Sequence, residues 1–122
     1  MTLAIRELER RGNLDAMAID EFIAAHTVPI QEGPSTTFLF RGEADAVHLQ
    51  HWIYALPSSQ HFTRIEGTDL WYLIVELPHG SRVEYKIDVV RGGRRHWIRD
   101  PFNPALAHDP FGANSVCQCP GY

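Results

Sequence analysis

The sequence is poor in cysteine. Cys117 and Cys119 are the only two, too few for a disulfide scaffold. No apolar run approaches the roughly 18 residues that a membrane helix needs. The opening MTLAIRELERRG is charged and lacks a continuous apolar stretch, so it does not read as a secretory signal, and a cytoplasmic location is expected. Basic charge is not in excess: 11 Lys+Arg stand against 15 Asp+Glu, a net charge of −4, which argues against a bulk electrostatic grip on nucleic acid. Sequence signatures of chemistry are missing too. None of Ser35, Ser58, Ser59, Ser81 and Ser115 sits in G-x-S-x-G, the elbow that exposes a hydrolase serine. There is no H-E-x-x-H, no paired C-x-x-C, no glycine-rich phosphate loop and no internal repeat. His48 and His51, three apart on a strand, face opposite sides and do not chelate one ion. Surface histidines and free thiols are the expectation, with no catalytic residue, no metal site and no cofactor in this chain.

What remains is ordinary globular material: 122 residues, 44% hydrophobic and 11% aromatic, enough for one domain with its own core. The first quarter reads as helical. Leu3, Ile5 and Leu8 among charges, with Gly12 as a stop, predict a helix over residues 3–11. Asn13 is the expected cap of a second helix, with Asp15 in its first turn and Leu14, Met17, Ala18 and Phe22 on its apolar face. Gln31 to Ser35 is a turn-rich connector.

Beyond it the period changes to alternation. Strands are expected at Thr36–Arg41, Ala46–Trp52, His61–Glu66, Leu70–Leu77, Arg82–Val90, His96–Arg99 and Ser115–Cys119, with residues 54–60 and 100–112 as loops. In the fourth, Trp71, Leu73, Val75 and Leu77 share the core face. In the fifth, Val83, Tyr85, Ile87 and Val89 point inward and Glu84, Lys86 and Asp88 outward. Arg91–Arg95 is a hairpin turn in which Gly92-Gly93 takes positive φ. About seven short strands with turn signals roughly every 8–12 residues argue an all-β, immunoglobulin-like antiparallel sandwich with an N-terminal helical arm. The arm and connector are assigned to residues 1–32 and the sandwich to 33–122.

Two features stand out as binding chemistry. Arg91, Arg94, Arg95 and Arg99 cluster around one hairpin, either a solvated tip or a contact for an anion or partner domain. Trp97 stands among His96, Arg99 and Asp100, beside a strand whose Lys86 faces outward. An indole beside a cation is suited to stacking on a sugar face or an aromatic ring; the plainer readings are a half-buried sheet residue or an interdomain contact. For Trp52 the alternation decides nothing.

With those residues laid out, two related families come into view. Trp71 to Leu77-Pro78, then Gly80, Tyr85-Lys86, Trp97 and Asp100-Pro101, resembles the early-set sandwich of glycogen-binding modules. Over residues 18–122 the chain is more similar to the N-terminal domain of the enterochelin esterase family. The similar segments are Thr27-Val28-Pro29-Ile30-Gln31-Glu32, Thr37-Phe38-Leu39-Phe40-Arg41-Gly42, Asp100-Pro101-Phe102-Asn103-Pro104 and Asp109-Pro110-Phe111-Gly112-Ala113-Asn114-Ser115. Pro120-Gly121-Tyr122 looks like the entry to that family's linker. This resemblance implies a non-catalytic accessory domain that packs on a C-terminal α/β-hydrolase domain and helps wall its ester pocket. It also implies a ferric catecholate siderophore as the substrate of the whole protein, with the catalytic serine in the other domain. The glycogen-binding resemblance implies a carbohydrate-binding module instead, with Lys86, Trp97 and Asn114 at sugar-contacting positions. The expected ligand or interface face therefore comprises Lys86, Trp97, Arg95, Arg99 and Asn114.

Overall fold

The computed structural model describes residues 2–51, 59–78, 80–109 and 112–119. Trp52, most of the expected loop after it and Pro120-Gly121-Tyr122 lie outside the described residues. Two helices, α1 (Ala4–Arg11) and α2 (Ala16–Ala24), come first. Ten strands follow among the described residues: β1 (Ile30–Glu32), β2 (Ser35–Arg41), β3 (Ala46–His51), β4 (Ser59–His61), β5 (Thr63–Arg64), β6 (Leu70–Glu76), β7 (Arg82–Arg91), β8 (Arg94–Ile98), β9 (Leu106–Asp109) and β10 (Gly112–Gln118). They form two antiparallel sheets, one ordered β1-β2-β6-β5 and the other β4-β3-β7-β10-β9, with β8 also paired to β7. The molecule is an all-β sandwich with a helical arm, as the alternation predicts.

Between the sheets lies one core. Phe38, Trp71 and Val75 come from the first sheet; Leu49, Val83, Tyr85, Ile87 and Cys117 come from the second. Trp71 is buried and its Nε1–H donates to the Gly42 carbonyl at 3.0 Å, so the indole's polar atom is satisfied. Leu73, expected in this core, is partly buried against it. The first sheet has a second apolar layer on its outer side. Leu39, Leu70 and Tyr72 meet Ile5, Leu8 and Ile19 of the arm. Polar ties reinforce that layer: Arg6 Nη1 donates to the Tyr72 hydroxyl at 2.8 Å, and the Ala4 N–H to Glu32 Oε2 at 3.1 Å. Each fully buried aliphatic of the arm contributes about 1.5–3 kcal/mol of transfer free energy.

Five local expectations are corrected. The α2 cap is Asp15, whose carboxylate accepts the Ala18 N–H at 2.8 Å, while Asn13 holds a left-handed φ of 48° between the helices. A helix begun at Ala16 turns Ile19 inward and leaves Met17 68% exposed. The single strand expected at His61–Glu66 is two: β4 pairs with β3 and β5 with β6, so the chain changes sheet around the buried Phe62. Ser59 and Gln60 belong to β4 rather than to the preceding loop. The loop expected over 100–112 contains β9, paired with β10; Pro101 and Pro104 precede the strand instead of interrupting it.

Candidate functional site

The site is built on the β7–β8 hairpin. Gly92 and Gly93 have φ of 56° and 76°, the left-handed pair that a two-residue turn between right-twisted strands demands. The turn fixes the register, with Asp88 opposite Trp97 and Ile87 opposite Ile98. Ile98 packs toward the core, so Trp97 projects outward and is 53% exposed. Lys86, two residues from Asp88, is its diagonal neighbour on the same outer face.

Beside this face the chain after β8 folds into one wall of an open groove of about 650 Å³. Lys86 and Arg99 supply cations, and Trp97, Ile98, Pro101, Pro104 and Leu106 supply apolar surface. Asp100 and Asn103 also line it and anchor the wall to the sheet. The Tyr85 hydroxyl donates to Asp100 Oδ2 at 2.6 Å, and the Asp100 N–H to Ser115 Oγ at 2.7 Å. Asn103 Nδ2 donates to the Tyr85 hydroxyl at 3.0 Å and to the Val116 carbonyl at 2.8 Å. Burial pushes the Asp100 carboxyl above the usual carboxylate range, against the opposing donation from Tyr85 and from the Phe102 N–H. The Asp100-Pro101-Phe102-Asn103-Pro104 run is thus a buried polar clip that holds the groove wall in place.

Of the expected residues, Lys86, Trp97 and Arg99 come together in the groove. Arg95 does not line it: its Nη1 donates to Asp88 Oδ2 at 3.1 Å. Asn114 on β10 donates to Glu84 Oε1 at 3.4 Å and is likewise outside the lining. Asp88 escaped the sequence reading as anything but an outward-facing charge. It is fully buried on the outer face, with His48 Nδ1 at 3.4 Å from the same oxygen that Arg95 reaches. His48 in turn meets His61 edge to face at 4.2 Å between ring centroids. His48 and His51 are buried, which corrects their expected surface placement. Only the register of β4, β3, β7 and β8 aligns His61, His48, Asp88 and Trp97 in one row, and sequence spacing carries no signal for it.

The thiols are core residues. Cys117 and Cys119 are both buried, and burial, then the neighbouring Cys119, push the Cys117 thiol up to about 12. Such a thiol is a poor nucleophile. What the arrangement offers is recognition: a fixed wall, an exposed indole and two cations on one face.

No family model and no curated protein match the sequence. Solved structures do match in fold. The enterobactin esterase from Shigella flexneri, in the presence of 2,3-dihydroxy-N-benzoyl-serine, aligns with a TM-score of 0.57 and 20% identity, over 70% of this chain and 30% of that one. A pullulanase from Paenibacillus barengoltzii complexed with maltotetraose aligns with a TM-score of 0.55 and 15% identity, over 72% of this chain and 14% of that one. The glycogen-degrading pneumococcal virulence factor SpuA aligns with a TM-score of 0.51 and 15% identity, over 65% of this chain and 9% of that one. This chain therefore spans under a third of each, and no helix among its described residues is long and apolar enough to cross a membrane. It has the immunoglobulin-like sandwich fold that an esterase and two glycan-active enzymes carry as part of longer chains.

Proposed function

We propose that the chain is the non-catalytic N-terminal accessory domain of an enterochelin-esterase-like α/β-hydrolase. It packs on the catalytic domain and helps wall the pocket of a ferric catecholate siderophore ester, in cytoplasmic iron acquisition. The observation that supports this reading is the groove. Lys86 and Arg99 bring two cations to its lining, and Trp97 lies exposed beside them on a face that the arm leaves bare. Cations and an indole suit an anionic, ring-bearing ligand, and they equally suit a domain interface that closes over one. Ester cleavage is then the task of a serine in the other domain.

The test is the coding sequence beyond Tyr122, with an assay beside it. A hydrolase domain bearing G-x-S-x-G, together with no turnover of a nitrophenyl ester by this chain alone, is the expected result. A glycoside hydrolase barrel there overturns it. The carbohydrate-binding reading draws on the same exposed Trp97 beside Lys86. Its signature is saturable quenching of tryptophan emission by maltotetraose that Trp97→Ala removes.

A further inference from the structure

We infer that the open edge of β8 is a docking site for an extended, acidic polypeptide segment of a partner protein, added to the second sheet as a further strand. Among the described residues β8 pairs with β7 alone. Its five residues are in unbroken register with β7, from Arg91↔Arg94 to Ile87↔Ile98, so no bulge twists the edge away. After a two-residue turn the flanking pair is hydrogen-bonded, and the pattern then alternates. His96 and Ile98 accordingly direct their backbone groups to β7, while the N–H and C=O of Arg95 and Trp97 point to the open side. Four of the five residues are exposed.

Proteins blunt such edges with proline, bulges or charge. Among the described residues the device at this edge is charge, and on the strand it has one sign. Arg94 and Arg95 lie on the strand, and Lys86 and Arg99 flank it on the groove side. Of these four cations Asp88 pairs with Arg95, and the same carboxylate oxygen also meets His48. A second copy would bring two such strips edge to edge, which like charge opposes. An acidic strand meets the cations and fills the backbone donors and acceptors at once, as in strand-addition recognition. The proposal does not depend on what occupies the groove.

The probe is a blocked eight-residue peptide of alternating Glu and Val, compared with its Lys-Val counterpart and with the acidic peptide N-methylated at every second residue. The acidic peptide is expected to bind the chain about ten-fold or more tighter than the basic one, and less tightly as salt rises. It should slow exchange of the Arg95 and Trp97 amides and leave the His96 amide unchanged. N-methylation should abolish binding, since it removes the backbone donors. Arg94→Glu, at an exposed residue, should weaken the acidic peptide and strengthen the basic one. Four results would each overturn the inference: no binding at millimolar peptide, undiminished binding after N-methylation, protection away from β8, or self-association of the chain through the same amides.

Discussion

The two outer faces of the sandwich are treated in opposite ways. The first sheet is sealed by the chain's own arm: Leu39, Leu70 and Tyr72 disappear beneath Ile5, Leu8 and Ile19. The second sheet carries a buried Asp88, a row of histidines and an exposed Trp97, and no helix of the arm joins its core. The strand sequences encode the difference. β6 reads Leu-Trp-Tyr-Leu-Ile-Val, apolar on both faces, and is covered on both. β7 alternates and is covered by apolar residues on one face only. A sheet face that the fold leaves polar, cationic and aromatic is the one free to meet something else.

Substitutions should rank the two faces. Trp71→Ala, in the core that both sheets share, should cost roughly 3–5 kcal/mol in denaturant unfolding. Ile19→Ala, in the layer under the arm, should cost about 2–5 kcal/mol if the arm is an integral second core. A value near zero would mean that the arm does not seal the first sheet. At the clip under the groove the effect is on pH dependence. Burial raises the Asp100 carboxyl above its unfolded value of 3.8, so the native state holds this proton more tightly. The stabilisation from that proton is full below the unfolded value and is lost as pH rises through the raised one. Unfolding free energy should show this downward contribution above about pH 4, and Asp100→Asn should remove it. Trp97→Ala, on the bare face, should change stability by no more than about 0.5 kcal/mol.

Much of this contrast was legible in the residues. Alternation in β7 named its buried face, and Gly92-Gly93 located the hairpin that carries Trp97. The second layer was not legible: Trp71, Leu73 and Val75 mark one core face of β6, continued by Leu77 just beyond it, and nothing local says that Leu70 and Tyr72 face another. Met17 is expected inward only if Leu14 belongs to the helix and marks its apolar face; the helix starts at Ala16, beyond Leu14, and Ile19 takes the buried position. β9 was hidden by the prolines around it. Lys86, Trp97 and Arg99 were found because they lie within a few residues of one turn. Asp88, His48 and His61 were missed as a group because their meeting depends on the pairing of distant strands.

Whether the bare face is an interface is decided most directly by acrylamide quenching of Trp97, isolated as the difference between the chain and its Trp97→Phe variant. In the chain alone the indole should be strongly quenched. When the chain is joined to the hydrolase domain that the proposed function places after it, Trp97 should become several-fold less accessible. Equal quenching in both would contradict the assignment of this face to a partner domain.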